Sequence, residues 1–517
     1  MHRARLPYRD FGLEYPPGAL PVFAAPALVA ERGDSARYSL WFELLMLACG
    51  AAAAALTGFL LARQRVSALR LTAGTLLAGL APLALGPVVL SRFDLWPAAL
   101  TIGAIAALVA DRRRLSFVLL GIAIAAKLYP AVVLPLGVAY VWRRRGRREA
   151  LLCTAIGLAV VAAWFVPFVV ASPHGVWSSL SGQARRPLQI ESLGASALLV
   201  AHQLWGYTVS EVVSSGSDNL GARLPDALAA VQSVLVAVAL AAIWVAFARG
   251  PATRDRLLRY SAAAICAFVA LGKVLSPQYL IWLMALVPLV RGRRGVVAAA
   301  LFVATLVLTQ LWFPSRYIDL VYGLDARASW LVFARDTLLV ALLLTLAWPS
   351  GYARRLGVSL VAGLALLAAA AVGAAVAAST STEGATHAGL LNETGIASSC
   401  RAPKPVPSAN SGAVRYQVRT YVNPDAAPAC ARVVVRPAAG ARVFSAAYRP
   451  ALDPADPRAR YLGDSGICTN VAGGRPRRLS YAFVVPARSR FAVEVEPCRT
   501  VQLPPYTIEV RLRPLRP

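Results

Sequence analysis

The chain has 517 residues, 58% of them hydrophobic and 15% charged, with a mean hydropathy of +0.58. An apolar share that large excludes an ordinary water-soluble domain. The net charge of +28 falls mostly in short basic clusters between apolar stretches, the topology signal of cytoplasmic loops, so nucleic acid is excluded as the partner.

The chain opens on a polar stretch, Tyr8-Arg9-Asp10-Phe11-Gly12-Leu13-Glu14-Tyr15, which runs through Pro16-Pro17 into a short apolar segment at 17–30. A full helix is expected over 38–62, a basic loop at 63–70, and a crossing at 71–90. Ser91-Arg92-Phe93-Asp94 follows on the outer face, and 95–110 return to Asp111-Arg112-Arg113-Arg114. The stretch 115–141 lies between two basic clusters, so it must be a hairpin of two half-length helices broken near Lys127-Leu128-Tyr129-Pro130. Residues 150–171 cross outward to a polar loop holding His174, Gln183, Arg185, Arg186, Gln189 and Glu191. Residues 193–208 are too short to change sides. Residues 225–248 return inward, and 260–272 and 279–290 flank Gly272-Lys273-Val274-Leu275-Ser276-Pro277-Gln278-Tyr279. Segments at 295–313, 328–348 and 356–379 complete about 10–12 membrane segments. One inconsistency stands: if 17–30 spans, the basic loop at 63–70 falls outside. Either 17–30 is a surface or re-entrant helix, or that loop breaks the positive-inside rule.

Beyond 379 the composition changes. Residues 380–409 read as a linker, carrying a glycosylation sequon at Asn392-Glu393-Thr394. From 410 to 517, Val414–Val422, Ala431–Val435, Arg478–Val485, Phe491–Val495 and Thr507–Leu512 alternate with period two between turn residues. The expected fold is therefore an all-α polytopic membrane bundle followed by an all-β, sandwich-like domain. Cys49, Cys153 and Cys266 lie in membrane segments. Cys400, Cys430, Cys468 and Cys498 lie in the tail, an even number that argues for an oxidising, extracytoplasmic location; four cysteines allow three pairings.

Only three lysines occur among 53 basic residues. Lys127 sits deep in its hairpin, where it can hold the break or counter a carboxylate. Lys273 lies near a helix end, where snorkelling and phosphate binding are both open readings. Arg185 and Arg186 fit solvent or headgroup contact, or bidentate phosphate binding. Asp10 and Glu14 are either solvated loop carboxylates or a general base at the lipid–water boundary. No Walker loop, GxGxxG or CxxC occurs, and His174 and Glu191 have no metal-ligand spacing with any partner. A divalent metal is unsupported and no redox cofactor is implied.

Five segments carry a family resemblance: Pro7-Tyr8-Arg9-Asp10-Phe11 with Glu14-Tyr15-Pro16-Pro17-Gly18-Ala19; Arg92-Phe93-Asp94; Ala126-Lys127-Leu128-Tyr129-Pro130; Arg186-Pro187-Leu188-Gln189-Ile190-Glu191-Ser192; and Gly272 through Tyr279. In this order they resemble the actinobacterial family 87 glycosyltransferases, polyprenyl-phosphate-mannose-dependent α-mannosyltransferases of the GT-C superfamily. The resemblance covers roughly residues 7–350. It implies an extracytoplasmic site, a lipid-phosphate sugar donor, and inverting transfer to a cell-envelope glycan or glycolipid. It makes Asp10 the nearest match to the catalytic base, with Glu14 second. Arg186, Gln189, Glu191, Lys273, Gln278 and Tyr279 become donor-phosphate or substrate-binding candidates, with Lys127, Arg92 and Asp94 structural. Family members begin with a further transmembrane helix, so the expected start and catalytic acid lie upstream of Met1, which would leave Asp10 behind the base. Two rivals remain: a transporter or flippase of lipid-linked sugars, which calls for an internal repeat and midplane charges, where only Lys127 is seen at depth and no repeat; and a non-catalytic envelope scaffold.

Overall fold

The computed structural model describes residues 6–31, 33–214, 216–348 and 354–378, then 386–388, 397–400, 413–437, 443–452, 458, 460–468, 471–472, 475–476, 478–498 and 506–515. It forms two compact units, Met1–Ala377 and Ala378–Pro517.

The first unit is a helical bundle. Its elements are α1 (Leu20–Ala27), α2 (Ser35–Arg63), α3 (Ala68–Leu80), α4 (Val88–Ser91), α5 (Leu95–Val109), α6 (Arg113–Ala126), α7 (Leu134–Arg145), α8 (Arg147–Ala171), α9 (Pro173–Ala184), α10 (Leu193–Trp205), α11 (Arg223–Arg249), α12 (Arg254–Ala270), α13 (Ile281–Met284), α14 (Gly292–Trp312), α15 (Tyr317–Gly323), α16 (Ala326–Ala347) and α17 (Arg354–Ala378). Three short strands, β1 (Leu188–Gln189), β2 (Ser210–Ser214) and β3 (Ser217–Gly221), interrupt them. Among the described residues seven helices are long and apolar enough to cross a bilayer: α2, α3 with its 3-10 extension to Leu85, α8, α11, α14, α16 and most of α17. The chain is a multi-pass membrane protein. Three of these spans, α2, α3 and α16, and the shorter α12 start at a side-chain cap: Asp34, Ser67, Asp325 and Thr253 each accept a backbone N–H from the first turn of the helix that follows.

The helical path stops at Lys127, whose backbone is extended, and resumes through a 3-10 turn, Tyr129–Val133, with Pro130 in its first turn. Proline has no N–H to continue the ladder, so an α-helix cannot run unbroken through Pro130. The two half-helices fold back: Arg145 at the end of α7 is ion-paired with Asp111 just before α6, and Phe117 lies against Gly137.

The arginine loops converge on one end of the bundle. Gln64 Nε2 donates to Leu289 O at 3.0 Å, Arg70 donates to Val290 O, and Arg291 pairs with Asp255 at 2.8 Å. Arg143 and Arg144 donate to Ala248 O and Ala252 O, and Arg259 to Leu346 O. The loop at 63–70 thus belongs with the other basic loops. The parity conflict resolves on its first alternative, because the segment after Pro16 never reaches that end. It turns at Pro17–Ala19 and packs on the broken end of α6. A Cβ on Gly18 would stand 2.5 Å from the Ala125 carbonyl carbon, so only glycine fits this approach.

The second unit is built from β4 (Thr386–Ala388), β5 (Ala413–Arg415), β6 (Gln417–Val422), β7 (Ala429–Pro437), β8 (Val443–Tyr448), β9 (Tyr461–Asp464), β10 (Val471–Ala472), β11 (Arg475–Pro476), β12 (Leu479–Val485), β13 (Arg490–Pro497) and β14 (Tyr506–Pro514). A three-stranded sheet, β12-β7-β14, and a four-stranded sheet, β6-β13-β8-β9, enclose Val433, Val435, Tyr481, Phe483, Phe491 and Val493. Strand β7 alternates buried and outward residues, as expected of a strand with one face in a core. β8 and β9 are additions to the expected strands; β8 is buried on both faces, so it lacks the period-two signal. The disulfides are Cys400–Cys430 and Cys468–Cys498. Part of the expected linker is structured. Thr386–Ala388 pairs with β5, and Ser398 exchanges hydrogen bonds with Asp464 and accepts from Ala482 N. The sequon at 392–394 and the proline-rich 402–409 lie outside the described residues.

Candidate active site

The loop ahead of Pro16 is folded, not extended. Tyr8 takes a positive φ of 66°, and its N–H donates to Phe11 O at 2.9 Å. Asp10 closes the loop by accepting from Leu6 N at 2.7 Å, and pairs with Arg9 at 3.0 Å. The loop docks on the α8–α9 corner. Ser172 Oγ donates to Tyr8 O at 3.0 Å, and Tyr8 stands edge-on to Phe168. A Cβ on Gly175 would overlap Tyr8 O, so this contact requires glycine. The docked loop delivers Glu14 and Tyr15 to the wall of a cavity of about 750 Å³.

An ion pair and stacked aromatics form one side of that cavity. Lys127 Nζ is 2.6 Å from Asp94 Oδ1, which also accepts from Trp282 Nε1 at 2.8 Å. The ammonium lies 4.9–5.3 Å from the ring centres of Phe93, Tyr279 and Trp282. Tyr129 and Tyr279 each stack on Trp282. The break at Lys127 thus frees a cation to neutralise a carboxylate that is only 1% exposed.

Another side comes from the loop after α9. The amide of buried Asn219 donates to Ser214 O and Ser217 O, closing the β2–β3 hairpin, and β1 pairs with β3. That pairing sets Ser217 and Asp218 beside Gln189 and Glu191. Arg186 reaches Ser217 Oγ at 3.2 Å and Gln183 Oε1 at 3.4 Å. Tyr317 donates to Asp218 at 2.6 Å. Gln189 N donates to Lys273 O, and its side-chain nitrogen donates to Glu191 Oε2 at 3.0 Å and Ser276 Oγ at 2.9 Å. Lys273 Nζ donates to Ala184 O at 2.8 Å, and partial burial lowers its pKa. Burial pushes Glu191 up to about 8; Arg335 opposes that rise, while Asp336 and Asp218 add to it.

The structure brings Glu14, Arg92, Asp94, Lys127, Arg186, Gln189, Glu191, Lys273, Gln278 and Tyr279 to this one cavity. Asp10 does not line it; its carboxylate serves the loop. Glu14 is different. Its carboxylate reaches toward Gly216 at the rim, and among the described residues it makes no hydrogen bond or ion pair. Arg92 likewise has no hydrogen bond or ion pair among the described residues.

Two groups escape the sequence reading. Ser217 and Asp218 enter the cavity through a hairpin whose polar residues look like ordinary loop. Arg335 and Asp336 correct the reading that Lys127 is the one charge at depth. They form a 2.7 Å ion pair, fully buried within α16, and Arg335 donates to Glu191 O at 2.6 Å while lying over Trp312. The available signal was a charged dipeptide inside an apolar 22-residue helix. Among the described residues no group of three or more His, Cys, Asp or Glu side chains is arranged to hold a metal ion.

The model of glycosyltransferase family 87 matches residues 13–277, just over half of the chain. The chain belongs to glycosyltransferase family 87. The matched stretch holds Glu14, Arg92, Asp94, Lys127, Arg186, Gln189, Glu191 and Lys273, and leaves Asp10 outside. This family 87 chain is a multi-pass membrane protein. No curated protein matches its sequence. Among solved structures it is similar to ArnT from Cupriavidus metallidurans bound to undecaprenyl phosphate, at 17% identity and a TM-score of 0.34, covering 71% of this chain and 66% of that one. It is also similar to the arabinosyltransferase EmbB from Mycobacterium smegmatis, at 12% identity and a TM-score of 0.27, covering 96% of this chain and 59% of that one. Likenesses this slight carry no argument about substrate.

Proposed function

We propose that this family 87 enzyme transfers a hexosyl group, mannose as the family resemblance implies, from a polyprenyl phosphate to an envelope glycan or glycolipid. One observation carries the reading: Glu14, whose carboxylate has no partner among the described residues, shares a cavity with the cations Arg92, Arg186 and Lys273. In the reaction, the acceptor hydroxyl oxygen bonds to the anomeric carbon as the bond from that carbon to the phosphate oxygen breaks. Glu14 takes the hydroxyl proton. The phosphate leaves with the bonding electrons, and the cations hold the charge that builds on it. Attack opposite the leaving group inverts the anomeric centre. Asp94 is not the base, because Lys127 and Trp282 already hold its Oδ1.

The gathering of arginine loops at the far end of the bundle supports an extracytoplasmic site in the plasma membrane. The two disulfides of the β unit support an oxidising compartment for it. The deciding experiment is transfer from polyprenyl-phosphate mannose to membrane glycolipids by protein in lipid vesicles. The reading predicts transfer by the wild type and by Asp10→Asn, and its loss in Glu14→Gln. Equal transfer by Glu14→Gln removes Glu14 as base, and no transfer across a panel of lipid-phosphate sugars removes the donor assignment.

A further inference from the structure

Gln189 and Glu191 are deeply buried polar groups on the cavity wall, 3% and 2% exposed. Their pairing is lopsided. The Gln189 side-chain nitrogen serves both Glu191 Oε2 and Ser276 Oγ, while Gln189 Oε1 and Glu191 Oε1 have no hydrogen-bond partner among the described residues. Two such buried atoms, on side chains joined by a hydrogen bond, are costly unless a polar group meets them. Their setting is rigid. β1 pairs with β3, Gln189 N is held by Lys273 O, and buried Arg335 holds Glu191 O.

We infer that Gln189 and Glu191 form a hydroxyl-recognition pair for a pyranose, Gln189 Oε1 accepting from one sugar hydroxyl and the Glu191 carboxyl donating to it. The inference rests on the glycosyl-transfer reading and adds a selectivity element to it. A hydroxyl both donates and accepts, which is what this pair offers and what a phosphate, acceptor-only, cannot match at Gln189 Oε1. The upward shift of Glu191 agrees with a carboxyl that keeps its proton at neutral pH. The charged and titratable groups facing it are Arg335 and Asp336 of α16, Asp218 of β3, and Tyr279 beyond Pro277. The hydroxyl can belong to the donor sugar or to the acceptor sugar.

The test uses the full chain in lipid, with polyprenyl phosphates carrying mannose or each mono-deoxy mannose, and with octyl mannoside or each mono-deoxy analogue as acceptor. One deoxy position, in one of the two series, should lower kcat/KM by roughly 10²-fold or more, because removing a hydroxyl strands both buried groups. The series in which it falls identifies the sugar being read. Glu191→Leu should transfer the native and that deoxy sugar at similar rates. Glu191→Gln, which keeps an N–H donor, should retain the selectivity and lose the fall in activity that the wild type shows as pH rises through about 8. That last readout separates Glu191 from Lys273, whose titration Glu191→Gln leaves in place. Binding of both series, the polyprenyl-phosphate sugars and the octyl mannosides, is measured in parallel, without transfer. If the wild type treats every deoxy sugar within about threefold of mannose in both assays, the pair reads no hydroxyl, while native transfer would leave the enzyme reading intact. If transfer fails for all donors, the binding series still decides the inference: unselective binding overturns it and selective binding upholds it.

Discussion

Arg145 and Lys127 each sit against an aspartate, at opposite ends of the same hairpin. The Arg145–Asp111 pair is about half exposed on both sides, at 47% and 50%. The Lys127 and Asp94 side chains, taken alone, are 16% and 2% exposed, and aromatic rings surround the ammonium. In water such a pair contributes little, because solvent screens it and two long side chains lose freedom. In the aromatic pocket neither charge can be left alone. The arginine end therefore reads as a topology device, tolerant of change, and the cavity end as a set of groups that depend on one another.

Substitutions at the two ends test this contrast, and the steepest loss belongs to the cavity. Glu14→Gln removes the proposed base and should cut kcat by about 10²–10⁴-fold with unchanged thermal stability. Asp10→Asn, on the same loop but outside the cavity, should stay within severalfold of wild type. Lys127→Met leaves a buried carboxylate unpaired and should cost about 3–5 kcal/mol, read by denaturation in detergent. Adding Asp94→Leu should recover part of that loss, and a double-mutant cycle measures the coupling. Glu191→Gln should flatten the pH dependence of stability. The folded Glu191 holds its proton up to about 8 while the unfolded side chain ionises near its ordinary 4.5, so the wild type loses stability as pH rises between those values. The variant lacks that decline, and melting temperatures across the interval test it. Asp111→Ala should cost less than about 1 kcal/mol, and a loss as large as that of Lys127→Met would erase the distinction between the two ends.

Much of the bundle is legible along the chain, because a membrane span must satisfy its own backbone and so announces itself as an apolar run. The break at Lys127-Leu128-Tyr129-Pro130 is legible for a local reason too, as proline acts on its immediate neighbours. The strands of the β unit are legible where one face meets the core, and β8, buried on both faces, is not. The motif from Arg186 to Glu191 and that from Gly272 to Tyr279 stand out as polar residues among apolar ones, and both reach the cavity.

The information held along the chain is therefore local: which segments enter a bilayer, where they break, and which polar residues interrupt them. Which of those residues meet is settled by tertiary packing. Packing separates Glu14 from Asp10, four residues away on the same loop, because the loop turns at Tyr8 and points one carboxylate into the cavity and the other into its own backbone. It gives Lys127 its partner Asp94, selects one disulfide pairing of three, and places Arg335 behind Glu191. Each of these depends on contacts between residues far apart along the chain, and hydropathy and spacing carry no record of such contacts.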